Sequence, residues 1–258
     1  MTQATVTCIH TDGVAVLTLD RPDVRNALSR QMRAELLAAL KSAAETARVL
    51  VLTGAGQGFC SGQDLADLSA QTTVDIEATL RDEYEPLLHA IYDCPIPTIA
   101  AVNGPAAGAG ANLALACDVV IAAQSASFIQ AFTRIGLMPD AGGTYWLPRQ
   151  IGFSRAMAAM LFADKIDADQ AEDWGMIYRS VPDADFTAFW QARAAMLAAG
   201  PTLAYRSIKS ALRASYVNDL PTQLALEARL QGVCGTSADF VEGVAAFRQK
   251  RPPRFNGR

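Results

Sequence analysis

The chain has 258 residues, 51% of them hydrophobic and 19% charged, a composition that places it among folded globular proteins and away from disordered ones. Its net charge of −4 speaks against a nucleic-acid surface, which draws on a basic excess, and two histidines, His10 and His89, are too few for a histidine-rich metal site. Five scattered cysteines without a Cys-x-x-Cys pair, and a start lacking a basic and then apolar leader, fit a reducing cytoplasm, the expected location.

In chain order, residues 14–19 (VAVLTL) read as a strand that Arg21-Pro22 ends. Ser29 is placed to cap a helix running to about Thr46, with Met32, Leu36, Leu37 and Leu40 on one face. Residues 49–53 are almost wholly apolar and run into glycines, as a parallel strand buried on both faces does. A helical region over 74–92 leads to a second such run at 98–102, and a third lies at 118–122. The Ala-rich stretch 98–123 is interrupted by Asn103, Asn112, Asp118 and several glycines, so no membrane segment is expected there. Helices are then predicted over 155–162, 168–174, 186–199, 203–214 and 220–230. The alternation implies an α/β core with right-handed crossovers over 1–147 and a helical subdomain over 148–258, starting near Pro148.

Two glycine-rich loops follow buried strands: Phe59-Cys-Ser-Gly-Gln-Asp-Leu65 and Asn103-Gly-Pro-Ala-Ala-Gly-Ala-Gly-Ala-Asn112. Open α/β sheets bind ligands outside the carboxyl ends of their strands, so both loops are well placed. Small residues let peptide N–H groups approach a ligand, and the second loop opens an apparent helix over 111–117. Two converging N–H donors suit a thioester that becomes an enolate. Taken singly, each loop reads equally as a tight turn, and neither matches a phosphate-loop or dinucleotide fingerprint.

Together the motifs carry more. Arg21-Pro22 with Asn26-Ala27-Leu28, the two loops, Gly136-Leu-Met-Pro-Asp-Ala-Gly-Gly-Thr144 and Ala171-Glu-Asp-Trp-Gly175 resemble, in order and spacing, the enoyl-CoA hydratase/isomerase (crotonase) family over essentially the whole chain. The resemblance implies a crotonase-like repeated ββα spiral core, a homotrimer or hexamer (a dimer of trimers), and oxyanion N–H groups at Ser61 and Ala109.

It does not name the reaction, because one fold supports several. Hydratases of the family handle water with two glutamates, and these positions hold Asn112 and Phe132 here. Asp140 stands where hydratases commonly carry glycine, which resembles the isomerase branch, especially the isomerases acting on ring-epoxide phenylacetyl-CoA. A single carboxylate reaching two carbons can serve as base and then acid, and apolar neighbours such as Phe132 favour its protonated form. Pro-Asp-Ala-Gly is also good turn chemistry, with Asp140 capping a short helix at Ala141.

His89 falls where dehalogenases of chlorobenzoyl-CoA carry a catalytic histidine, so an Asp140–His89 aryl-CoA dehalogenase or hydrolase is an alternative, as are an enoyl-CoA hydratase and a non-catalytic acyl-CoA-binding scaffold. Asn112, Phe132 and His89 are candidates for the substrate pocket, and the segment 68–84 is expected to border it. Cys60 reads as a packing residue, and Asp64 as a loop brace. Coenzyme A needs cations and a groove: Arg25, Gly62, Gln63, Asp64 and Lys250 are the candidates, with Arg251 and Arg254 behind them. Coenzyme A is part of the substrate, and no further cofactor, metal, nucleic acid or membrane partner is implied.

Overall fold

A computed structural model describes residues 3–69 and 75–257. The expected start of a helix at Val74, and part of the segment 68–84, fall on residues outside the described ones.

The chain opens with strands β1 (Val6–Thr11) and β2 (Val14–Leu19), then α1 (Arg30–Thr46), β3 (Val49–Gly54) and the short α2 (Leu65–Ser69). Ser29 caps α1 as expected, its hydroxyl accepting from the Met32 N–H, and Met32, Leu36 and Leu40 are buried along one stripe. The predicted helix before the second apolar run is three pieces: α3 (Ile76–Thr79), a π-helical segment Leu80–Tyr84, and α4 (Glu85–Tyr92). There follow β4 (Thr98–Val102), β5 (Ala106–Ala107), α5 (Ala109–Leu115), β6 (Val119–Ala123), β7 (Ser127–Ile129), α6 (Gly143–Ile151) and α7 (Phe153–Phe162). The remainder is β8 (Ile166–Asp167), α8 (Ala168–Asp173), β9 (Arg179–Val181), α9 (Asp183–Ala198), α10 (Thr202–Ala214), α11 (Leu220–Gly235) and α12 (Ala238–Gln249).

The main sheet has the order β1-β2-β3-β4-β6-β9, with β1 antiparallel to β2 and the rest parallel. Val49 to Leu52 and the whole of β4 are buried, because helices cover both faces of the parallel part. β5, β7 and β8 form a second, three-stranded sheet. Pro148, where the composition changes, lies inside α6, and the chain returns to the main sheet afterwards as β9.

The last helices are fastened to the sheet ionically. Asp118, just before β6, accepts from the Thr98 N–H and hydroxyl (2.8 and 2.9 Å) and pairs with Lys209 (2.6 Å) and Arg213 (2.7 Å) of α10. Lys209, 9% exposed, also donates to the Cys94 and Ile96 carbonyls. Among the described residues, no helix is long and apolar enough to cross a membrane.

Candidate active site

The two glycine-rich loops leave the carboxyl ends of β3 and β4 and are pressed together. Gly62 has φ +92°, and a Cβ there would lie 2.8 Å from the Ala107 carbonyl oxygen; a Cβ on Gly110 would lie 2.4 Å from that of Cys60. Side chains at either position would force the loops apart. Asn26 and Asn103 hold the approach to the first loop. The Asn26 amide donates to the carbonyls of Ala55, Gly58 and Phe59, and Asn103 donates to those of Gly56 and Gly58. Asp64 accepts from the Ala66 N–H and pairs with Arg21 at 2.7 Å, so it braces its own loop.

The register of this loop corrects one expectation. The Ser61 N–H donates to the Arg25 carbonyl at 2.9 Å, so it is occupied and cannot serve as an oxyanion donor. Leu28 bridges Gln63 in parallel fashion, donating to the Gly62 carbonyl and accepting from the Asp64 N–H. In such a bridge the Gln63 N–H points away from Leu28. Among the described residues it has no hydrogen-bond partner, and neither has the Ala109 N–H at the start of α5. Ala109 N lies 3.4 Å from where a Gly62 Cβ would stand, so Gly62 separates the two donors.

Gln63 and Ala109 line a cavity of about 290 Å³, together with Leu80, Tyr84, Phe132 and Asp140. Asp140 is the only carboxylate on its wall among the described residues. The Asp140 carbonyl accepts from the Gly143 N–H (2.9 Å) and the Asn112 amide (2.8 Å), which fixes the loop. The expected turn is present, with Ala141 and Gly142 both at positive φ, but α6 begins at Gly143 without a side-chain cap. The carboxylate therefore does not cap a helix. Its Oδ1 is buried without a hydrogen-bond partner, and burial pushes its pKa from 3.8 up to about 6.

Asn112 does not reach the cavity, contrary to the expectation of a pocket residue. It is wholly buried, exchanges amide hydrogen bonds with Gln130 (2.8 and 3.3 Å) and holds the Asp140 carbonyl from beneath. Phe132 is on the cavity wall, its ring 3.7 Å from where a Gly108 Cβ would be. Cys60 is buried, its thiol pushed up to about 12 by that burial, which suits packing rather than nucleophilic attack. His89 lies on a second, outer cavity that shares the Asp140 wall, and its Nδ1 bonds the Asp93 carboxylate at 2.9 Å while the ring stays 63% exposed.

The cations divide. Arg25 is exposed beside the first loop, and its guanidinium has no ion pair among the described residues. Lys250, Arg251 and Arg254 are not brought to the cavity of their own chain. Phe255 bonds Arg48, which precedes β3, so this segment is fastened at the amino-terminal edge of the sheet, opposite the loops. Arg251 is further committed to a two-bond pair with Glu242 (2.6 and 2.9 Å).

Comparison with known proteins agrees with this architecture. A family model described as enoyl-CoA hydratase/isomerase matches residues 10–258. A protein named "Probable enoyl-CoA hydratase" from Rhodobacter capsulatus is 64% identical, with 96% of each chain covered. The 1,2-epoxyphenylacetyl-CoA isomerase of Escherichia coli is 46% identical over 95% of this chain and 96% of that one. The crystal structure of an enoyl-CoA hydratase from Bacillus anthracis superposes with a TM-score of 0.91 at 32% identity, covering 98% of this chain and 100% of that one.

Proposed function

The chain belongs to the enoyl-CoA hydratase/isomerase family, and within it we propose an acyl-CoA isomerase in which Asp140 is the single proton carrier. The thioester oxygen accepts hydrogen bonds from the Gln63 and Ala109 N–H groups. Asp140 removes a proton from the carbon beside the carbonyl, and the freed electron pair moves into the thioester as an enolate held by those donors. In a 3-enoyl-CoA the double bond thereby moves from the 3,4 to the 2,3 position as Asp140 returns the proton to carbon 4. Atoms and electrons balance without a further reagent. Ring-epoxide phenylacetyl-CoA and 3-enoyl-CoA are the proposed substrates. Coenzyme A is part of the substrate, with Arg25 beside its phosphates.

The observation that carries this reading is Asp140 itself: the one carboxylate on the cavity wall among the described residues, one oxygen unpartnered, its pKa raised to about 6 by burial. Adding water across a double bond asks for a second acid or base, and among the described residues the inner wall carries no second carboxylate and no histidine. Hydration is nonetheless the second reading, favoured by the name of the 64% identical relative. A screen of 3-enoyl-CoA, 2-enoyl-CoA and the epoxide of phenylacetyl-CoA separates them. The expected outcome is isomer formation that Asp140→Asn lowers by about 10²- to 10⁴-fold, the usual worth of a positioned acid–base. Hydration of 2-enoyl-CoA as the main activity, or an Asp140→Asn enzyme near wild type, would overturn the isomerase.

The exposed Ile208, Leu212, Tyr216, Val217, Leu220 and Leu224 of α10, α11 and the turn between them support a homotrimer or hexamer, which light scattering tests.

A further inference from the structure

The two unbonded N–H groups at the inner cavity, those of Gln63 and Ala109, belong to peptides whose carbonyl ends are themselves hydrogen-bonded. Behind Ala109 stands the Gly108 carbonyl, which accepts from the Asn112 N–H at 3.2 Å. Behind Gln63 stands the Gly62 carbonyl, which accepts from the Leu28 N–H at 2.8 Å. The line behind Gln63 runs one peptide further and ends on a cation. The Leu28 N–H shares its peptide with the Ala27 carbonyl, whose oxygen accepts from the Arg21 guanidinium at 2.7 Å and from the Ser29 N–H at 3.0 Å. A positive charge, two peptide groups head to tail and an open N–H therefore stand in series.

Hydrogen bonds in series polarise one another. A donor at a peptide carbonyl draws electron density from the peptide nitrogen, so the N–H at the other end donates more strongly, and a charged first donor has the larger effect. Solvent screens this one only in part, since the Arg21 side chain is 26% exposed. One group opposes it. The Asp64 carboxylate, 11% exposed, accepts from the same Arg21 Nη1 at 2.7 Å, while its other oxygen accepts from the Ala66 N–H at 3.0 Å. Its negative charge stands one residue after the Gln63 donor and works against an oxyanion forming there. As braces of the loop, Arg21 and Asp64 would act alike. As charges near the donor, they act in opposite senses.

We propose that Arg21 is a positioning residue for the reaction: through the Ala27–Leu28 peptide it aligns and polarises the Gly62–Gln63 peptide, and so strengthens one of the two hydrogen bonds to the thioester oxygen. The inference rests on the thioester site placed above at Gln63 and Ala109, and deepens it by naming what stands behind one of the donors. One oxyanion donor is worth about 10²- to 10³-fold in kcat, and polarisation strengthens a hydrogen bond by about 10–30%. Loss of the cation is therefore expected to lower kcat about two- to eightfold. KM should change little, because the oxygen carries its full negative charge only in the enolate.

The test reads the thioester carbonyl directly, in complexes of the whole protein with butanoyl-CoA isotope-labelled at the carbonyl carbon, a saturated ester with no double bond to shift. Isotope-edited infrared spectra are expected to show the carbonyl stretch lowered on binding to the wild type. Arg21→Gln should move it part of the way back toward its value in water, and Arg21→Lys, which keeps the cation, should restore it. Asp64→Asn should lower the stretch further, and kcat should follow the same order across the variants. A stretch and kcat in Arg21→Gln equal to wild type overturn the relay. So does a stretch in Asp64→Asn that rises instead of falling, an outcome readable even if Arg21→Gln does not fold. No lowering in the wild type overturns the Gln63–Ala109 placement and the relay with it. Stretches in the expected order without any isomerisation overturn the isomerase alone and leave the relay standing.

Discussion

Two aspartates in this molecule, Asp118 just before β6 and Asp140 in the loop before α6, meet opposite fates. Asp118 receives two hydrogen bonds from Thr98 and two cations from α10, so its charge is fully met. Asp140 has its backbone held by Asn112 and Gly143 while one carboxylate oxygen is left with nothing. The first is a fastener and the second is the proposed proton carrier. Their partners set them apart: a carboxylate whose oxygens are already bonded has none left to offer a bound molecule.

Exchanging the two roles by mutation gives the largest effects. Asp140→Asn is expected to abolish most turnover while keeping acyl-CoA affinity, whereas Asp118→Ala should cost roughly 3 kcal/mol of unfolding free energy by stranding Lys209, a buried cation. Denaturant titration and initial rates on both variants read the contrast. It would break if Asp118→Ala lost activity without losing stability.

The next effect is on pH dependence. The folded-state pKa of Asp140 is raised, so its contribution to stability is fully present below about pH 4 and is lost as pH rises through about 6. Asp140→Asn has no such loss. The stability gap in favour of the variant should open between these values and level off at roughly 2 kcal/mol, from about 1.4 kcal/mol per pKa unit discounted for partial exposure. In parallel, wild-type kcat/KM should fall below about pH 6 as the base becomes protonated.

Smaller again, Asn112→Ala removes the amide beneath the Asp140 loop. It should cost about 1–3 kcal/mol by leaving Gln130 and the Asp140 carbonyl unmet. Because the loop then shifts, kcat should fall more than KM rises. The smallest effect is expected at His89, whose exposed pair with Asp93 is worth about 0–1 kcal/mol. His89→Gln should change turnover by about twofold or less. A collapse of activity there would revive chemistry shared between His89 and Asp140.

Much of this was legible in the sequence where residues are buried on all sides. The runs at 49–53 and 98–102 had to be interior strands, and Ser29 had to start a helix. Short or half-exposed elements were not legible. β1 puts most of its residues in solvent, and β5, β7, β8 and β9 are two or three residues long, too short for alternation to register. Asp140 was visible as a carboxylate in a glycine-rich turn. The unbonded N–H of the first loop, expected at Ser61, is that of Gln63 two residues on, since composition cannot say which N–H of a loop is already taken. That depends on Leu28 bridging Gln63 and on Arg25 turning its carbonyl toward Ser61. Likewise nothing in the letters of Asn112 separates a ligand contact from a brace; only its pairing with Gln130 does.

The π-helical segment Leu80–Tyr84 has an evolutionary consequence. Such a segment is one residue more than a regular helix needs. Deleting that residue would rotate the preceding turn, α3, by about 100° while leaving the residues after it in register. Ile76 and Leu80 would turn away from both cavities, yet Leu87 and Ile91 would keep their seats in the core. Descendants of this gene could thus acquire a new substrate range through a single in-frame codon loss, without repacking the interior.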